Sequence, residues 1–380
     1  MRILAGLLVV FLGCAPEPAA PEFERFATGT GPNSIAIVKC GVARVAVVTA
    51  SAGARLDAIG LDGVRSAGLD FSFENGSNPW GIAPFKDGVL VTLYNSHVVA
   101  FVDPCTGVEF SRSGSLEPVD VAPAVIPRAE FDADLDGNPD SVIDAMIPHN
   151  PSGIAVDSTG GIWVAFSNIV DPAIGENDMQ TGPGILARFI VDNNKTIRFV
   201  DQHSLPCQNP TGVATFSGRV AVTCAGRFRS ESGTFTRASA GGIILFSTID
   251  FSLVASTDLD QSFGTPAFES DTIVVGSVLG GTIFRFSSEL TLIEDRVIGG
   301  VDESLFKVVL VNGKSAVSRF VAGDLVIDPF GLASTVPFSD PREPPRGLID
   351  VAIDDTDSDG LDDEAVGALS LSGEIGRVHL

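Results

Sequence analysis

Beyond its first dozen residues the chain has no run approaching the roughly 18 to 20 consecutive apolar residues that a membrane-spanning helix needs, so the body is expected to be soluble. Positive charge is also scarce: 24 Lys and Arg stand against 48 Asp and Glu, a formal net charge of −24. Such a surface repels phosphate backbones and anionic headgroups, which argues against nucleic acid as a partner. The same excess of carboxylates suits hard cations such as calcium. Catalytic signatures are missing as well. There is no Cys-x-x-Cys pair, no Cys/His zinc spacing, no Gly-x-Ser-x-Gly elbow and no His-Glu-x-x-His helix. The stretch "NGKS" at 312–315 lacks the glycine-rich lead of a phosphate loop, and "GTGPNS" from Gly29 fails the dinucleotide pattern. The four histidines, His97, His149, His203 and His379, are isolated in sequence, as surface or hydrogen-bonding residues are. No catalytic residue is assigned.

What is present begins at the N-terminus. Arg2 supplies a positive charge, Ile3 to Leu12 form an apolar run, and Gly13-Cys14 ends it. The run is too short to span a bilayer and reads as an export signal over residues 1–13. The tetrapeptide Phe11-Leu12-Gly13-Cys14 resembles the bacterial lipobox, which implies lipidation of Cys14. Residues 14–26, rich in Pro and Ala, read as an extended tether, and 27–380 as one domain. The expected address is the bacterial cell envelope, outer-membrane, periplasmic or surface-facing, with the lipid as the only membrane contact. Without lipidation the protein is secreted.

Four further cysteines, Cys40, Cys105, Cys207 and Cys224, are an even number in an exported chain and allow three pairings. Turn signals between Cys207 and Cys224 favour joining those two, and elimination then joins Cys40 to Cys105.

Short runs of Val, Ile and Phe recur between clusters of Gly, Asn, Asp and Pro, the all-β pattern. A phrase repeats: "GPNSIAIV" from Gly31, "NPWGIAPF" from Asn78, "NPSGIAVD" from Asn150, "NPTGVATF" from Asn209 and the decayed "GTPAFESD" from Gly264. Each leads into a second and usually a third strand, and units of about 40 to 50 residues holding several short strands are the signature of a β-propeller. Starts near residues 33, 78, 150, 209, 264, 305 and 347 predict about seven blades, with six or eight as alternatives. The chain ends at "GEIGRVHL", so an N-terminal strand drawn from residues 23 to 50 is expected to close the ring. The phrase "NPSGIAVD" followed by "GGIWVAFSN" resembles the NHL-type and related propeller repeats, which implies the fold and no particular activity.

Two acidic stretches share the spacing Asp-x-Asp-x-Asp-Gly-x-x-Asp. In one, Asp132, Asp134, Asp136, the carbonyl of Asn138 and Asp140 can converge on a calcium ion. In the other the ligands are Asp355, Asp357, Asp359, the carbonyl of Leu361 and Asp363. An EF-hand needs a bidentate Glu at the twelfth position, where these copies have Ile143 and Val366 in strand-like runs. Aligned with "GIAVDSTGGIWVAFSN", the stretch "DVAIDDTDSDGLDDEAVGALSL" is an expanded hairpin turn inside a blade, and the first copy is an inserted calcium hairpin near 123–149. Both resemble the calcium hairpins of FG-GAP and VCBS propeller repeats, which implies a structural ion.

Two long loops, 167–184 and 225–242, are candidates for binding, the second carrying Arg227, Arg229 and Arg237 in an acidic chain. The expected function is binding or scaffolding, with a protein or glycan as ligand. The alternative is a metal-assisted lactonase-like or lyase-like enzyme with its site in the central channel. A third class is a calcium-dependent adhesin.

Overall fold

The computed structural model describes residues 23–61, 71–114, 116, 119–120, 145–171, 180–231, 234–338, 343–344, 346–356, 359–362 and 364–380. It contains seven four-stranded antiparallel sheets, and in six of them spatial order follows chain order. The innermost strands are Pro32–Cys40, Pro79–Phe85, Pro151–Val156, Pro210–Phe216, Ala267–Glu269, Val308–Val311 and Leu348–Asp354. Each touches the next, and the seventh returns to the first, so the sheets form a closed ring. This is a seven-bladed β-propeller, and its blade starts fall where the repeats place them.

The seventh blade is composite. Leu348–Asp354, Glu364–Leu369 and Glu374–His379 come from the C-terminus, and Phe23–Ala27 adds the fourth strand, pairing Phe23 with Val378 and Ala27 with Glu374. The propeller therefore takes in residues 23–26, which composition alone assigns to the tether. Glu364, fully buried, accepts hydrogen bonds from Arg44 of blade 1 and Arg377 of blade 7. Arg44 also reaches Asp354 at 2.6 Å, and Arg377 reaches Glu24 of the closing strand at 3.1 Å. Charge and backbone pairing thus seal the ring at the same seam.

The apolar core is a set of wedges between neighbouring blades. One cluster joins Val47 and Leu56 of blade 1 to Val89 and Val91 of blade 2. Equivalent clusters fill the next five gaps, and Ile35, Ala46, Val366 and Ile375 fill the gap between blades 7 and 1. Because a middle strand meets a neighbour on both faces, it reads as a continuous apolar run: every residue of Gly88–Leu93 and Ile162–Phe166 is buried. The outermost strand Leu292–Val297 is exposed throughout.

Both expected disulfides form. Cys40–Cys105 joins the inner hairpin of blade 1 to the outer turn of blade 2. Cys207 lies in the outer strand Ile197–Gln208 of blade 3 and Cys224 in the second strand of blade 4, so this bond also ties two blades together.

Candidate functional site

The repeated phrase builds the site. In the first four blades the chain turns into the inner strand through a left-handed residue, Gly31, Asn78, Asn150 or Asn209, at φ of 69°, 52°, 58° and 52°. Asparagine tolerates that region better than most side chains do. A proline follows, and then the strand register slips: between Pro32 and Ser34, Pro79 and Ile82, Pro151 and Ile154, and Pro210 and Gly212. Such bulges re-aim a side chain. Here they turn Asn33, Trp80, Ser152 and Thr211 toward the axis.

At the next position, in blades 2 and 4, neighbouring inner strands approach so closely that no side chain fits. A Cβ on Gly81 would lie 2.5 Å from the Ser152 carbonyl oxygen, and one on Gly212 2.4 Å from Thr265 Cα. Hydroxyls stitch the same seams. Ser152 Oγ donates to the Pro210 carbonyl at 2.6 Å, Thr211 Oγ1 to Phe263 at 2.6 Å, and Thr223 Oγ1 to Gly264 at 2.6 Å.

These residues surround a cavity of about 440 Å³ at one end of the channel, a volume suited to a small molecule or an inserted side chain. Its wall includes Trp80, Tyr94, Phe228 and Phe306. Because the inner strands start at this face and run away from it, Ile82, Ile154 and Val213 line the deeper part. The Trp80 and Tyr94 rings lie 5.5 Å apart, and Trp80 is 38% exposed. Burial pushes the Tyr94 phenol above its ordinary pKa, with the Ser167 hydroxyl, 3.3 Å away, acting in opposition. Among the described lining residues the charged ones are Lys307 and Asp350, whose side chains meet at 3.4 Å.

By the antiparallel order of the sheets, the described ends of the connections between blades and of the turns between second and third strands lie at this face. Both long loops flagged by sequence are here, and each carries a two-stranded hairpin: Ile169–Asp171 with Gln180–Thr181, and Phe228–Glu231 with Thr234–Arg237. Ile169 and Phe228 line the cavity. Of the arginines, Arg237 pairs with Asp260, and Arg227 donates its backbone amide to Ser239 Oγ at 2.8 Å. Among the described residues of that loop, Ala225 and the phenylalanine between Arg227 and Arg229 line the cavity.

The histidines are held by packing and backbone. His97 and His149 meet edge to face at 5.5 Å; His97 Nδ1 accepts from the Asn150 amide at 3.1 Å, and His149 Nδ1 donates to the Ile147 carbonyl at 2.8 Å. Burial pushes His149 down to about 4, with the Ile147 carbonyl opposing and the charge of His97 adding to the shift. His203 packs against Phe251 at 4.3 Å, and His379 is exposed near the chain end. Among the described residues no three His, Cys, Asp or Glu side chains gather as a metal site.

Of the predicted calcium ligands, Asp132, Asp134, Asp136, Asn138, Asp140, Asp357 and Asp363 lie outside the described residues, as does Cys14. The first acidic stretch is flanked by Val119–Asp120 and Ala145–Met146, which pair with each other in the connection between blades 2 and 3. The second stretch is the inner hairpin turn of blade 7, between Asp354 and Glu364, which pair, and Val366 is in the following strand. Asp355 Oδ2 accepts from the Gly360 amide at 2.9 Å, and Gly360 has φ of 89°. Asp362, outside the ligand spacing, binds the Asn312 amide of blade 6 and donates its own amide to Asn312 Oδ1 at 2.8 Å.

No protein-family model matches the chain, and no curated protein does. Among solved structures it is similar to virginiamycin B lyase from Staphylococcus aureus, with TM-score 0.60, 13% identity, and coverage of 94% of this chain and 99% of that one. It is similar to hydrazine synthase of Kuenenia stuttgartiensis, with TM-score 0.60, 11% identity and coverage of 98% and 99%. BamB from Moraxella catarrhalis gives TM-score 0.51, 11% identity and coverage of 92% and 85%. At these identities the likeness is one of fold.

Proposed function

We propose that the protein is a binding propeller of the bacterial cell envelope, exported, held by a lipid on Cys14, and taking its ligand at the loop-bearing mouth of the channel. The observation that carries this reading is the 440 Å³ cavity with Trp80, Tyr94, Phe228 and Phe306 in its wall. Aromatic walls supply apolar contact area at small conformational cost. The two disulfides support an oxidising compartment. The metal-assisted alternative needs histidines and carboxylates converging on the axis; among the described lining residues, Asp350 alone is of that kind.

Calcium belongs to this proposal as a stiffener of the blade 7 hairpin, held by Asp355, Asp357, Asp359, the Leu361 carbonyl and Asp363. The described part of the turn fits: its tight turn is made by Gly360, and the odd carboxylate Asp362 is committed to blade 6. The ion would offset carboxylate repulsion there.

Titration of aromatic small molecules against the intrinsic fluorescence tests the binding site. Trp163 is fully buried, so Trp80 is the tryptophan that reports on the cavity. Saturable quenching that disappears in Trp80→Phe is expected; a panel that leaves the emission of the folded protein unmoved would remove the reading.

A further inference from the structure

The two charged residues of the described lining, Lys307 and Asp350, are not equivalent. Asp350 is only 5% exposed and its oxygens are already engaged. Oδ2 accepts from the Ser34 hydroxyl and, at 3.2 Å, from the Ile35 amide, while Oδ1 accepts from its neighbour's amide, Val351, at 2.8 Å. The Ser34 and Ile35 donors tie blade 7 to blade 1, so the carboxylate serves the ring seam.

Lys307 has capacity left. Its backbone is pinned between blades 5 and 6, the carbonyl of Thr265 accepting from Val308 at 3.0 Å and the Lys307 amide donating to Ser318 Oγ at 3.2 Å. Its ammonium reaches Asp350 Oδ1 only at 3.4 Å, with 27% of the side chain exposed in the cavity wall. Charge-assisted N–H···O bonds are ordinarily about 2.7–2.9 Å, and an ammonium has three donors. A cation with unspent donors therefore faces a cavity whose described wall, apart from the engaged Asp350, is aromatic, aliphatic or neutral polar. On a chain with net charge −24 the described lining is locally neutral, Lys307 balancing Asp350.

Resting on the reading that the mouth binds ligand, we propose that the ligand is an apolar organic anion: a carboxylate on Lys307, with an aromatic or aliphatic body between Trp80, Phe306 and the deeper Ile82, Ile154 and Val213. The low polarity of the wall strengthens the ion contact, and the long Asp350 pairing leaves the ammonium free to turn toward the anion without abandoning the seam.

The test compares three probes of one shape, 2-naphthoate, 2-naphthamide and 2-naphthylmethylammonium, by Trp80 fluorescence on the full chain, Lys307→Met and Lys307→Arg. Naphthoate is expected to bind about tenfold or more tightly than the amide, the value of one hydrogen bond to a charged group. Lys307→Met should erase that preference while leaving amide affinity in place, and Lys307→Arg should keep it. Equal affinities for naphthoate and amide, tighter binding of the ammonium, or a preference that survives Lys307→Met would each overturn the anion assignment and leave the binding site standing. If Lys307→Met shifts only the melting temperature, the residue is a staple and the proposal is wrong. If no probe moves Trp80, both readings fall.

Discussion

The glycines of the repeated phrase make a graded prediction. Gly81, Gly153 and Gly212 all lie outside the left-handed region, so alanine is compatible with each backbone and the effect of substitution is spatial. Through the unfolded chain alone, Gly→Ala would stabilise by about 0.4–1 kcal/mol. Against this, the new Cβ at 153 meets Gly212 C and Val213 N at 3.0 Å, a crowding relieved by a shift of a few tenths of an ångström. At 81 it meets the Ser152 carbonyl oxygen at 2.5 Å, and at 212 the Cα of Thr265 at 2.4 Å. Both are backbone atoms, that of Ser152 in the inner strand of blade 3 and that of Thr265 bridged to Lys307 of blade 6, and neither can rotate aside. Overpacking costs about 1–3 kcal/mol, so the net loss should be within about 1 kcal/mol for Gly153→Ala and about 2 kcal/mol or more for Gly81→Ala and Gly212→Ala. Urea midpoints followed through buried Trp163 measure the series. Because the obstruction at 212 is backbone, adding Thr223→Ala should not restore Gly212→Ala. Gly212→Ala as stable as Gly153→Ala, or rescue by the shortened Thr223, would refute the close-approach argument.

Three further outcomes are expected. Chelation by EDTA should lower the melting temperature, and Asp355→Asn with Asp359→Asn should abolish the difference between chelated and calcium-loaded protein in differential scanning fluorimetry. In the chain-entropy treatment, opening Cys40–Cys105, which closes 65 residues, costs about 4 kcal/mol, and opening Cys207–Cys224, which closes 17, about 3 kcal/mol; paired serine variants measured by chemical denaturation give the order. His149, held down to about 4 by burial, is neutral in the fold while its unfolded form takes a proton near 6.5, so its contribution is complete above that pH and is lost as pH falls toward 4. Between pH 6.5 and 5 this amounts to about 2 kcal/mol, and His149→Gln should flatten that limb of the stability profile.

Much of the fold was legible because a propeller repeats its local solutions. "NPSGIAVD" encodes a left-handed Asn, a proline, a bulge and a glycine where the neighbouring strand comes close, and each demand is local enough to leave the same letters at 78, 150 and 209. The closing strand was legible only as a need, since Phe23–Ala27 carries no repeat phrase and is identified by what the last blade lacks. The cavity was harder. It draws residues from all seven blades, and the informative position is the one that breaks the repeat: Asn33, Trp80, Ser152 and Thr211 all follow the proline of the phrase. Variation there was the available signal. Arg227, Arg229 and Arg237 are more conspicuous in an acidic sequence, yet what their loop contributes to the aromatic wall is Phe228.

The acidic hairpin and the cavity occupy opposite ends of the same strand. Asp350 lines the cavity, and Asp354, where the hairpin turn begins, lies four residues further along Leu348–Asp354, about 13 Å at the rise of a β-strand. An ion held beyond Asp354 cannot touch a ligand at the mouth, and its direct field there is weakened by distance and by intervening carboxylates. Its influence must pass through the order of blade 7. Calcium removal is therefore expected to lower stability while leaving the affinity of a mouth ligand unchanged wherever the protein remains folded. A dissociation constant that rises on chelation well below the melting temperature would mean that the hairpin and the mouth are coupled, and the separation of a stiffened face from a recognising face would have to be given up.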